Sequence, residues 1–289
     1  MVDGFLPERY VGARAHDVVP GATTPEDLAR ACAEKGVECV QLACGKSFPW
    51  LVGSDCAGLT PGAAHRVRDE LAASGTRIEV LGSYYNMIHP NVAARDRGRA
   101  AFIRMLQLAP HFGAPVVASE TGSVNVDFSY TTQNFTDERF EEAAEEIRVL
   151  ASWGERFGTY VGIEPGINHP INTPQRTKEL LDVVDSPWLG VVLDPTAFIN
   201  AANATPEYQL ELCMQSAELF GDRILAMHLK DWDVVDGRFA YRNVGEGRAL
   251  IDQLVSVVTS ACPMLPVILE ATDAAHVPLA AERVRATAA

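Results

Sequence analysis

The chain contains no run of apolar residues approaching the roughly 18 that a membrane helix needs. Its start, Met1 to Tyr10, holds neither a basic n-region nor an apolar h-region. Both absences point to a soluble, cytoplasmic protein. Positive charge is scarce: 24 Lys and Arg stand against 38 Asp and Glu, a formal net charge of −14. Such a field repels phosphate backbones and anionic head groups, which argues against nucleic acid and membrane surfaces as partners. C-x-x-C pairs are absent too. The six cysteines, Cys32, Cys39, Cys44, Cys56, Cys213 and Cys262, are scattered, mostly beside apolar residues. They read as reduced, mostly buried thiols rather than a zinc cluster or disulfide framework. Low-complexity segments, internal repeats and linkers long enough to separate domains are also missing, so residues 1–289 are expected to form a single domain.

What is present is a regular alternation of elements. Thr-Pro occurs at Thr24-Pro25, Thr60-Pro61, Thr173-Pro174 and Thr205-Pro206. Threonine at an N-cap accepts from an orphan N–H, and proline at the first helical position gives up a donor that had no partner. Four helix starts are thereby marked. Gly36 is placed to stop the first of them. From Thr136 to Phe157, Phe140, Ala143, Ala144, Ile147, Leu150 and Ala151 recur at helical spacing.

Between the helices lie eight short runs: Tyr10 to Arg14, Glu38 to Gln41, Arg77 to Gly82, Pro115 to Ser119, Tyr160 to Glu164, Leu189 to Asp194, Ile224 to His228 and Val267 to Glu270. The last four are nearly continuous in Val, Ile and Leu, as parallel strands buried on both faces require. The pattern is βα repeated eight times, and the expected fold is a single (β/α)8 barrel. The longest loops, Cys44 to Leu59, Glu120 to Phe135 and Asp231 to Gly247, would cover a ligand on the face where the strands end.

Each of the last four runs closes on an ionisable residue: Glu164, Asp194, His228 and Glu270. Residues at C-terminal strand ends of a closed barrel are forced towards one axis, and unpaired carboxylates brought that close repel one another. One divalent cation resolves the repulsion. Oxygen-rich donors with one imidazole suit Mn²⁺ first, with Mg²⁺, Co²⁺ or Zn²⁺ as alternatives. Further polar residues at strand ends and in their loops, Arg14, His16, Gln41, Lys46, Asn86, His89, Glu120 and His169, are placed to bind the hydroxyls of a substrate.

The segments VGIEPGINHP, VVLDPTAF, AMHLKDWD, NVGEG and VILEATD, together with VQLACGKSF, VLGSYYNMIHP and SETGS earlier in the chain, resemble the xylose isomerase-like sugar phosphate isomerase/epimerase family of barrels. The resemblance implies that Glu164, Asp194, His228 and Glu270 bind one metal, and that Glu164 and Glu270 exchange protons beside a carbonyl through a metal-stabilised enediolate. It gives His89 and Glu120 the best claim among the substrate-binding residues. A small sugar or polyol substrate and a homodimer or homotetramer are implied on the same ground. The ketose epimerases of the family carry a histidine three residues after the strand-six aspartate and an arginine after the strand-seven histidine. Here Ala197 stands at the first place, and Leu229-Lys230-Asp231 follows His228. His-Leu-Lys-Asp is similar instead to the inosose dehydratases, which implies a catalytic role for Lys230 and a second reaction, dehydration of an inosose or a dehydroshikimate-like acid. A non-enzymatic sugar-binding barrel is a third possibility.

Overall fold

A computed structural model describes residues 10–53 and 58–287. The chain start before Tyr10, and Cys56, lie outside the described residues. Eight parallel strands close into a barrel: β1 (Val11–Arg14), β2 (Cys39–Leu42), β3 (Arg77–Gly82), β4 (Val116–Glu120), β5 (Tyr160–Glu164), β6 (Leu189–Leu193), β7 (Ile224–Leu229) and β10 (Val267–Leu269). The intervening β8 (Asp231–Val235) and β9 (Arg238–Arg242) form a separate antiparallel pair. Around the barrel the order is β1-β10-β7-β6-β5-β4-β3-β2, so barrel strands consecutive in sequence are adjacent in space. The expected barrel is the observed one, with strand ends shifted by about one residue.

The four Thr-Pro signals act as expected. Thr24, Thr60, Thr173 and Thr205 each accept a backbone N–H from the residue three further on, at 3.1, 3.2, 3.1 and 3.1 Å. Each such cap contributes about 1 kcal/mol. Thr136 does the same for the helix Asp137–Phe157, whose six expected apolar positions are all buried. Helices pack outside the strands over one large apolar cluster. A second, small cluster of Val80, Val116, Ala118, Val192 and Ala226 plugs the barrel. Gly162 on β5 faces this plug: a Cβ there would lie 2.9 Å from Val116 and 3.0 Å from Val192, so only glycine leaves the interior room to close. Among the described residues no helix is long and apolar enough to cross a membrane.

All three long loops carry structure, the one after β4 ending in the 3₁₀ turn Thr132–Phe135. The loop after β2 holds two helical turns, Cys44–Ser47 and Pro49–Val52. The segment after β7, expected as a loop, begins with the β8–β9 hairpin. Its turn is Asp236-Gly237, with φ of +51° and +73°, the left-handed pair that a type I′ turn demands and that Asp-Gly supplies. Of the cysteines described, Cys32, Cys39, Cys44 and Cys213 are buried and Cys262 is half-buried.

Candidate functional site

Parallel strands in a closed barrel all end on one rim, and the rim here gathers charge. Glu164 ends β5, Asp194 follows β6, His228 is the fifth residue of β7 and Glu270 follows β10. One donor atom from each lies within 4.8 Å of every other, and all four side chains are buried. His228 Nδ1 faces Glu164 Oε1 at 3.1 Å and Glu270 Oε2 at 3.0 Å.

Lys230, two residues beyond His228 and on the same side of the strand, extends into this group. Its Nζ lies 2.6 Å from Asp194 Oδ2, 2.9 Å from Glu270 Oε1 and 4.0 Å from Glu164 Oε1. The Asp194 contact is close but poorly aligned, so that Oδ2 lacks a well-directed hydrogen bond. Asp194 Oδ1 is committed to Thr196 N–H at 2.8 Å, which fixes the carboxylate at the start of the next turn. Glu270 is engaged on the outer side by Arg14 from β1, Nη1 to Oε1 at 2.5 Å. Arg14 is braced in turn by Asp17 at 2.8 Å, and Asp17 also accepts from Ala271 N–H at 3.1 Å. Ala271 has φ +54°, a left-handed conformation unusual for a residue with a Cβ, and it turns the chain out of the barrel directly after Glu270.

The electrostatics follow from this packing. Burial pushes the Glu164 carboxyl up, but His228 and Lys230 outweigh it and hold it at about 2. Glu270 is likewise burdened by burial and held below the usual carboxylate range by Lys230 and His228. Burial dominates at Asp194, which is raised in spite of Lys230. Burial disfavours the charged forms of His228 and Lys230, yet the surrounding carboxylates raise both. The group is thus a balanced set of buried charges in which Lys230 supplies the positive centre.

That balance is also the test of whether a metal fits. Three buried carboxylates and one imidazole nitrogen converge, and Asp194 Oδ2 is incompletely satisfied. An ammonium already stands among the carboxylates. Hard oxygen donors around a positive point match a divalent cation. The donor set fits.

Beside the cluster opens a pocket of about 190 Å³, lined among others by Glu120, Glu164, His169, Thr196, Lys230 and Tyr241. At ~30 Å³ per water it holds roughly six waters, the scale of a small polyol. Glu120 and Glu164 are register partners on neighbouring strands. His169 Nδ1 donates to Gly122 O at 2.8 Å, which turns Nε2 towards Glu120 Oε2, 3.9 Å away. Gly122 is obligatory in this arrangement: its φ is +92°, and a Cβ would lie 2.1 Å from Asn86 Oδ1.

The other residues picked out by sequence are placed unequally. Lys46 Nζ stands 3.4 Å from His16 Nε2 and 5.9 Å from the centre of the Tyr84 ring. His16 is lowered to about 4 by burial together with Arg14 and Lys46, so it is neutral near pH 7. Asn86 is used up in bracing a loop: it donates to Ser123 O at 2.7 Å and accepts from Ser123 N–H and Ile88 N–H. His89 is turned to the next helix, where Nδ1 accepts from Asn91 N–H at 2.9 Å. Asp231 does not pair with Lys230. Its carboxylate accepts from the N–H groups of Trp232, Gly245, Gly247 and Ala249 at 2.8 to 2.9 Å, which shapes the NVGEG turn. Sequence reasoning did not single out Tyr84, although it lies in the segment VLGSYYNMIHP, or Tyr241, which lies in no quoted segment; both are aromatic residues at the mouth.

A family model described as a xylose isomerase-like TIM barrel matches residues 29–284. The fold is similar to that of a xylose isomerase-like TIM barrel protein from Mycobacterium smegmatis in complex with magnesium, at 16% identity and a TM-score of 0.71, covering 96% of this chain and 95% of that one. It is similar to 3-keto-D-glucoside 4-epimerase, YcjR, from E. coli, at 14% identity and a TM-score of 0.72, over 96% and 99% of the two chains. It is also similar to the probable 3-DHS dehydratase AsbF from Bacillus anthracis, at 16% identity and a TM-score of 0.72, over 95% and 97%. At these identities the likeness is one of fold. No curated protein matches the sequence significantly.

Proposed function

The chain belongs to the xylose isomerase-like TIM barrel family, and on that premise we propose that it is a divalent-metal-dependent isomerase or epimerase of a small sugar or polyol, acting as one barrel domain. The observation that carries the reading is the convergence of Glu164, Asp194, His228 and Glu270 within 4.8 Å, next to a pocket of polyol size. These four residues would hold the ion, with Mn²⁺ the best match to three carboxylates and one imidazole. When bound, the ion supplies Lewis acidity to a carbonyl and the hydroxyl beside it, easing removal of the proton on the carbon between them.

The protein's own groups then divide the work. Glu164 lines the pocket and is ionised at neutral pH, as a base that takes a carbon-bound proton must be. Glu270 reaches the same centre from β10, a different side of the barrel, and is the partner that returns a proton. Lys230 lines the pocket and holds a proton beside the place where negative charge develops. Glu120 and His169 form a polar wall able to orient hydroxyl groups, with Lys46 and His16 further out.

A second reading is a dehydratase acting on an inosose or dehydroshikimate-like acid. It is favoured by Lys230, whose ammonium is placed to protonate a leaving hydroxyl, and by Ala197 at the place where the ketose epimerases have histidine. Incubating the protein and Mn²⁺ with ketoses, inososes and dehydroshikimate in D₂O separates the two. Deuterium entering a product of unchanged formula supports isomerisation, and loss of water supports dehydration. Full turnover in both Glu164→Gln and Glu270→Gln would rule out the proton-transfer assignment, and no turnover of any of these compounds by the parent protein would favour a sugar-binding barrel.

A further inference from the structure

The imidazole of His228 is fully buried, and its two nitrogens face different chemistry. Nδ1 points into the carboxylates, whereas Nε2 lies 2.6 Å from Gln41 Oε1. Gln41 stands on β2, 187 residues away in sequence and three strands round the barrel, so its side chain crosses the interior to make this contact. It is completely buried. Its amide nitrogen donates to Tyr84 Oη at 2.6 Å, and Tyr84 stands at the half-exposed mouth of the barrel.

A carbonyl oxygen can only accept, so His228 Nε2 must carry a hydrogen and donate to Gln41. The same amide donates at its other end, which obliges the Tyr84 oxygen to accept and leaves the Tyr84 hydroxyl hydrogen free to point elsewhere. The chain of bonds therefore has one direction: His228 Nε2–H to Gln41 Oε1, Gln41 Nε2–H to Tyr84 Oη.

We infer that Gln41 is a positioning residue that keeps a hydrogen on His228 Nε2, so that Nδ1, which donates to Glu164 and Glu270 in this structure, is the nitrogen that gives up its proton to serve as a metal donor, while the Tyr84 hydroxyl hydrogen is directed into the mouth. The inference rests on the metal reading given above. It assigns Gln41 to the support of a ligand rather than to contact with substrate hydroxyls, the role its place at a strand end suggests. Partners that orient a ligating histidine in this way change metal affinity by roughly 10- to 100-fold when removed. Gln41→Met removes the acceptor at nearly constant volume, whereas Gln41→Glu keeps an acceptor oxygen facing Nε2.

The test uses Co²⁺ alone as probe on the full chain, with affinity read by calorimetry and the ligand N–H read by proton NMR. In the wild type, the Nε2–H of a ligating His228 gives a paramagnetically shifted resonance that is present in H₂O, lost in D₂O and slow to exchange because of its buried acceptor. We expect Gln41→Met to bind Co²⁺ at least tenfold more weakly and to lose that slow exchange. Gln41→Glu should restore both, and circular dichroism should show all three proteins folded. Equal Co²⁺ affinity and unchanged exchange in Gln41→Met would overturn the positioning role and leave the metal site standing, as would equal losses in Met and Glu variants. A wild-type chain that takes up no Co²⁺ would overturn the metal reading itself.

Discussion

Lys230 Nζ and Asp194 Oδ2 lie 2.6 Å apart in the centre of the barrel rim, the ammonium standing among the carboxylates that a divalent cation would also use. Two positive centres cannot share that space at low cost, since like charges a few ångströms apart in a buried setting repel by several kcal/mol. Lysine and metal should therefore compete. Lys230→Met is expected to bind Mn²⁺ about tenfold more tightly by calorimetry while losing about 10²-fold in turnover, the scale of a positioned proton donor. Weaker binding in the variant would mean that Lys230 recruits the ion instead of opposing it.

The same competition sets a pH dependence. In the metal-free protein His228 is raised above its ordinary 6.5, so its contribution to stability is complete below pH 6.5 and is lost as pH rises through the raised value. Asp194 is raised above 3.8 and acts with the same sign, since the folded state prefers it protonated. Glu164 has the opposite sign. Held at about 2 against an ordinary 4.5, it contributes stability above pH 4.5 that disappears as pH falls towards 2. The contributions of Glu164 and His228 overlap between about pH 4.5 and 6.5, whereas that of His16, lowered to about 4 from 6.5, is complete only above pH 6.5, so metal-free protein should be most resistant to urea near pH 6.5. Mn²⁺ must displace the proton from His228, so its affinity should rise by up to about tenfold per pH unit through that range. A metal affinity independent of pH would contradict the protonated His228.

Gly122 is a point where space and backbone angle agree. With φ at +92° and Asn86 Oδ1 only 2.1 Å from a would-be Cβ, Gly122→Ala must push Asn86 away from the loop and disturb the carbonyl that holds His169. The expected cost is about 2–4 kcal/mol of unfolding free energy by denaturant titration, combining strain with a broken buried network. A change under about 1 kcal/mol would show that the loop relaxes freely.

Asp231 gathers four backbone N–H groups on one carboxylate. Asp231→Ala leaves those donors without their charged acceptor, and hydrogen bonds to a charged group are worth about 1.5–3 kcal/mol each before the loop rearranges. Faster amide exchange is expected at Gly245, Gly247 and Ala249, with the barrel strands unaffected. Uniformly unchanged exchange would place the order of this loop elsewhere.

Much of this molecule was legible in the order of its residues because the signals are local. Thr24, Thr60, Thr173 and Thr205 cap helices through contacts three residues long, and the apolar runs before Glu164, Asp194, His228 and Glu270 are strands by their own composition. The convergence of those four followed from barrel closure, which needs only their order along the chain. What stayed hidden depends on where side chains go. Nothing near Gln41 marks it as a partner of His228, because the contact exists only once β2 and β7 face each other across the barrel. Asn86 and His89 share the composition of substrate-binding residues, yet backbone groups claim them first. The β8–β9 hairpin is the exception, since Asp236-Gly237 is a local turn signal inside a segment whose length suggests a loop.

The contact between Gln41 and His228 also has a mechanical side. It is a chord strung between staves three apart on the cask, shorter than the path round the wall. Spreading those staves must lengthen a bond of 2.6 Å, and the contacts from His228 to Glu164 and from Lys230 to Asp194 and Glu270 hold β5, β6 and β10 to β7 in the same way, so the rim is braced on several chords at once.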